Sequence, residues 1–143
     1  FEANLNVHTN DVLIPVTVCH ELSHLSGYMR EDEANFIAFL ACLQSDDPEF
    51  RYSGVYLASV HAMNALLTVD SDLWNQADAL KSDALRRDIR SNNAYWKQYE
   101  TPVSEVSDRV NDAYLKANGQ ENGLRSYGRM VDLLLAYYRD ELQ

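Results

Sequence analysis

Pro15-Val16-Thr17-Val18-Cys19-His20-Glu21-Leu22-Ser23-His24-Leu25-Ser26-Gly27 reads as one helix with both ends marked. Proline fits the first helical turn, where its missing N–H removes no hydrogen bond. Gly27 can adopt the left-handed conformation that ends a helix. Inside the segment, His20 and His24 lie four residues apart and therefore one above the other on one face. Two imidazoles so placed can share one metal ion, and His20-Glu21-Leu22-Ser23-His24 is the HExxH pattern. Glu21, adjacent to His20, is placed to hold and deprotonate a zinc-bound water as general base.

The same punctuation continues outward. A second helix is expected from Glu31 to about Leu43, with Phe36, Ile37, Leu40 and Leu43 at helical spacing. Asp46-Asp47-Pro48 starts a third, to about Leu67. Ser71 caps a long fourth, to about Tyr99, and Thr101-Pro102 starts a fifth, to about Ala117. Asn118-Gly119 through Asn122-Gly123 form a loop before the last. The expected fold class is mainly α, a helical bundle around the active-site helix, with a short strand possible only within Asn4 to His8. A chain of 143 residues with 46% hydrophobic residues suits a single domain, residues 1–143.

A catalytic zinc usually takes three protein ligands and keeps a fourth position for water. Arg30-Glu31-Asp32-Glu33-Ala34-Asn35 can return a carboxylate to the histidines after the turn at Gly27. Glu31 is the first choice and Glu33 the second. Carboxylates also belong in a first helical turn as partners of the helix dipole, so without the histidines this cluster would read as capping. An oxyanion in acyl chemistry needs a hydrogen-bond donor. Tyr127, at a helix entrance in Ser126-Tyr127-Gly128, is the candidate, with His61 as the alternative. His61 lies among Val60, Ala62, Met63 and Leu66 and reads more simply as a core histidine. His8 is given no role.

Other chemistries are excluded or weakened. Twelve Lys and Arg against 22 Asp and Glu give a net charge of −10, which repels phosphate backbones, so no nucleic-acid partner is expected. Cys19 and Cys42 form neither a CxxC pair nor a disulfide framework and read as buried free thiols. Glu21 and His24 have the Glu-x-x-His spacing of di-iron bundles, but no second copy exists in the chain. Trp74, Trp96 and Tyr137-Tyr138 read as core. Asp78, Asp83 and Asp88 with Lys81, Arg86, Arg87 and Arg90 read as a solvated face of mixed sign. The most apolar patch, Leu133 to Tyr138, is far shorter than the ~20 residues of a membrane span, so the chain itself is expected to be soluble. It opens at Phe1 with no charged segment followed by an apolar one, and is expected to be a trimmed piece of a longer protein.

Val18 to His24, Gly27 and Arg30 to Phe36 together resemble the zincin metallopeptidases, and among them the gluzincins. The resemblance is strongest to a bacterial family of membrane-anchored HExxH proteins and runs along nearly the whole chain, including Phe50-Arg51-Tyr52-Ser53-Gly54 and Ser126-Tyr127-Gly128. It implies Zn2+ on His20, His24 and Glu31, and a peptide or protein substrate. It also implies Asn35 as the residue supporting a ligand histidine. The metzincin third ligand would fall on Arg30, which cannot ligate. Two departures stand out: Asn35 replaces an aspartate, and the spacing from His24 to Glu31 is short. A neutral amide raises imidazole basicity less than a carboxylate does. The resemblance further implies an anchor upstream, a place at the bacterial cell membrane, and a catalytic domain on its outer side. The alternative is a non-catalytic helical interaction domain with a relic metal site.

Overall fold

The computed structural model describes residue 5, residues 9–98 and residues 127–141, the side chains of Tyr127 and Glu141 excepted. Helical turn Asp11–Leu13 leads directly into α1 (Ile14–Leu25). Then follow α2 (Glu31–Gln44), α3 (Pro48–Val69), α4 (Ser71–Ala79), α5 (Asp83–Lys97) and α6 (Tyr127–Glu141). Among the described residues there is no strand, and no helix is long and apolar enough to cross a membrane. The expected helix from Thr101 to Ala117, the possible strand within Asn4 to His8, and His8 itself lie outside the described residues.

The mainly helical class is as the sequence implies, and α1, α2 and α3 begin where their prolines and acidic first turns place them. The fourth helix is different. Instead of running unbroken from Ser71 to Tyr99, it stops at Ala79 and restarts at Asp83. Ser82 accepts a hydrogen bond from the Leu85 N–H at 3.2 Å, while the Leu80 and Lys81 N–H groups close tight turns onto Ala77 and Asp78. A serine that caps the next helix competes with continuation of the previous one. Asp70 makes a similar corner, ending α3 and accepting from the N–H groups of Asp72 and Leu73, so Asp70 and not Ser71 caps α4.

Helices α1, α2, α3 and α6 share the core. Phe39, Ala58, Met130 and Leu134 form one cluster, flanked by Phe36, Leu40, Leu43, Leu57 and Tyr137. Val16, Ala38 and Cys42 form a second, between α1 and α2. Burial of a side chain such as Phe39 or Met130, both fully enclosed, contributes roughly 1.5–3 kcal/mol. Not all expected core aromatics are buried: Trp96 is half exposed, and Trp74 is only half-buried, with Lys81 Nζ 5.5 Å from its ring centre. Both lie on α4 and α5, whose described residues include no buried position.

Two residues of the Phe50 to Gly54 stretch hold α1 and α2 in place. α1 has no side-chain cap of its own, and Pro15 has no N–H to satisfy. The buried Ser53 hydroxyl of α3 accepts from the Val16 N–H at 3.0 Å, so the cap comes from 37 residues away. Gly54 lets α3 approach α2 closely. A Cβ there would stand 2.5 Å from Cys42 Cβ and 3.3 Å from the Phe39 carbonyl oxygen.

Candidate metal centre

The site begins with how α1 ends. Gly27 takes φ +99°, a conformation glycine adopts without strain. Its N–H bonds to the His24 carbonyl at 3.0 Å, and the Tyr28 N–H reaches back to the Ser23 carbonyl at 3.1 Å. This is the paired pattern of a glycine-terminated helix. The turn folds Tyr28 against the helix, so that its carbonyl oxygen lies 2.7 Å from His24 Nδ1. A carbonyl can only accept. Nδ1 of His24 therefore carries the proton, and in the neutral ring Nε2 presents a lone pair.

That lone pair faces His20 Nε2 and the Glu31 carboxylate. His24 Nε2 lies 3.0 Å from His20 Nε2, with the two rings edge to face at 87°. Glu31, the first residue of α2, straddles both: Oε2 is 3.3 Å from His20 Nε2, and Oε1 is 3.4 Å from His24 Nε2. Donors about 2.0–2.1 Å from a tetrahedral zinc stand roughly 3.3 Å apart, and these contacts of 3.0–3.4 Å are close to that spacing, the two to the carboxylate being made by different oxygens of Glu31. Among the described residues, His20, His24 and Glu31 are the group of such side chains that could hold a metal ion. Glu31 is half exposed at 51%, against 15% for His20, so the cluster opens to solvent on the carboxylate side.

The electrostatics are those of acceptors sharing too few protons. Burial works against a charged His20, but Glu31, and to a lesser extent Asn35 and Glu21, hold its pKa above the ordinary 6.5. His20 in turn holds Glu31 below its ordinary value, against the opposing effect of burial. A single proton on His20 Nε2 can reach only one of its two acceptors at a time. A divalent cation satisfies all three, so the donor set fits zinc both in chemistry and in spacing.

Glu33 is not brought to the cluster. It pairs with Arg30 at 3.8 Å, and Arg30 Nε stands at the same distance from the buried carboxylate of Asp32. Of the two candidate carboxylates, geometry favours Glu31. Asn35, one turn further along α2, stands beside His20 closely enough to favour its protonated form. Yet His20 Nδ1 is buried without a hydrogen bond of good geometry. We read the amide as adjacent but misaligned. Glu21 is half-buried and outside the donor set, and with His20, Asn35, Leu13, Val16, Thr17 and Leu57 it lines a cleft of about 260 Å3.

The two candidate oxyanion donors fare differently. Tyr127 is the first residue of α6, and its side chain lies outside the described residues. His61 sits on α3, lining a separate cavity with Val60, Asn64, Ala65 and Gly128. Burial lowers its pKa, which suits a neutral core histidine. A larger cavity, about 660 Å3, lies between the first helical turn and α1, α3 and α5. It is lined by Asp11, Glu49, Asp88, Tyr52 and apolar residues. Size points there, but the convergent nitrogen donors are at the His20 cluster.

Fold and site together define a helical protein whose first two helices bring two histidines and a glutamate to one point. The chain belongs to the family described as protein of unknown function DUF3810, whose model matches residues 1–135. No curated protein and no solved structure matches it.

Proposed function

We propose that the chain is a zinc-dependent peptidase whose metal is held by His20, His24 and Glu31. The observation that carries this reading is the meeting of three lone-pair donors at 3.0–3.4 Å, with His24 Nδ1 already committed to a carbonyl. A zinc ion held there would supply Lewis-acid chemistry, making a bound water acidic near neutral pH and polarising a neighbouring carbonyl.

The chain's own residues supply the rest. Glu21, beside His20 and outside the donor set, takes the proton of the attacking water and returns it to the leaving amine. The Tyr28 carbonyl keeps the His24 imidazole turned with Nε2 inward, while Asn35 stands beside His20. The cleft beside Glu21, with Leu13, Val16 and Leu57 in its walls, receives part of the peptide. Tyr127 is assigned to the oxyanion by its place in the sequence. The resemblance to membrane-anchored HExxH proteins supports placing the site on the outer side of a bacterial membrane, held by an anchor upstream.

One observation favours a second reading. The unpartnered Nδ1 of His20, next to an asparagine rather than a carboxylate, suits a weakened relic site in a helical interaction domain. Glu21→Gln separates the two. Under the peptidase reading it keeps zinc and loses cleavage of a mixed peptide library by more than about 100-fold, in line with the weight of general-base catalysis. No cleavage by the zinc-loaded, unaltered chain would favour the relic.

A further inference from the structure

Cys19 and Cys42, the two cysteines of the chain, meet across the interface of α1 and α2, with Sγ atoms 3.8 Å apart. The Cys42 thiol donates toward Cys19. Cys42 is fully buried, whereas Cys19 is partly open to solvent. Behind Cys42 lies α3 at Gly54, where even an added Cβ would be 3.6 Å from the sulfur. A disulfide bond is about 2.05 Å long, so each sulfur needs to move by less than ~1 Å to form one.

We propose that Cys19 and Cys42 are a redox modification site, closing to a reversible cross-link between α1 and α2 by exchange with an organic disulfide. The step balances. Cys19 attacks one sulfur of the oxidant, forms a mixed disulfide and releases the first thiol. Cys42 then attacks the Cys19 sulfur, its proton passing to the second departing thiol. The protein loses two hydrogens and two electrons, and the oxidant becomes two thiols. Cys19 is the entry point because Cys42 is out of reach of solvent.

The second step is slow. Burial, with Cys19 alongside, pushes the Cys42 thiol up to about 12, so little thiolate is present near neutral pH. Closure on the scale of minutes to hours is expected, as for uncatalysed disulfide exchange generally. The bond would tie the helix carrying His20 and His24 to the helix carrying Glu31. That consequence rests on the metal reading of the site; the cross-link itself does not.

The test uses the full chain, metal-free, incubated with oxidised glutathione at pH 8 and followed by intact-mass and peptide mapping without reduction. The expected product is a monomer two hydrogens lighter, with the Cys19 and Cys42 peptides joined. Its melting temperature should be several degrees above that of the reduced chain, returning on addition of dithiothreitol. Glutathione retained on Cys19, disulfide-linked dimers, an unchanged mass after a day, or a cross-linked product that melts lower would each overturn the proposal. Cys42→Ser should stop at glutathione on Cys19. If it gains none, Cys19 is not the entry sulfur and the scheme fails.

Discussion

Two polar clusters in this molecule handle charge in opposite ways. At the joint between α4 and α5, Asp78 is met by Lys81 at 2.8 Å and Arg86 at 3.1 Å, and Arg86 also donates to the Asp78 carbonyl. Donors and acceptors are matched, and these two cations hold the Asp78 pKa below its ordinary value. At the joint between α1 and α2, His20, His24 and Glu31 present acceptors to one another, with no lysine or arginine among them. The first cluster is complete as folded and serves the corner in which it sits. The second has more acceptors than protons to share among them, and that shortage, together with the HExxH spacing, argues for a metal.

The contrast can be broken most severely at a ligand. His24→Ala removes a nitrogen donor and should lower zinc affinity by more than about 100-fold, beyond what loss of a supporting residue costs. Titration against a chelating dye would read it. Next in size is the frame behind the site. Gly54→Ala gains helix propensity of up to ~1 kcal/mol but drives a Cβ to 2.5 Å from Cys42 Cβ. Overpacking of this kind costs roughly 1–3 kcal/mol. We expect the clash to win, leaving a net loss of about 1 kcal/mol in urea unfolding.

Asn35→Asp should act in the other direction. A carboxylate beside His20 Nδ1 would satisfy that buried nitrogen and strengthen the ligand, raising zinc affinity by about tenfold. If affinity stays the same, the amide is already adequate and the case for a weakened site is lost. The smallest effect is expected at the matched cluster. Asp78→Asn should leave zinc affinity unchanged and move the melting temperature only slightly, because surface ion pairs contribute little. A large loss of metal there would mean that the two clusters are coupled and the comparison is unsound.

What the sequence made legible was local. Pro15, Gly27 and Pro48 mark chain positions where backbone chemistry allows few alternatives, and the i, i+4 histidines share a face on any helix. The choice between Glu31 and Glu33 was not legible, because it depends on Arg30 engaging Glu33 and Asp32 while Glu31 turns to the histidines. Nor was the Ser53 cap on Val16, or the contact of Cys19 with Cys42 23 residues away, since both arise from packing between helices. The break at Ser82 was present as a capping residue, but the surrounding helix formers masked it. Trp96 misled because helical spacing of apolar residues shows which face a helix would bury, not whether a partner helix covers it.

The most direct test of the three-donor site is zinc content per chain by elemental mass spectrometry, on the unaltered protein and on Glu31→Gln and Glu33→Gln. We predict close to one zinc per chain for the unaltered protein and for Glu33→Gln, and almost none for Glu31→Gln. An unaltered chain that holds no zinc after the metal is added back, or a Glu31→Gln chain that keeps it, would contradict the account.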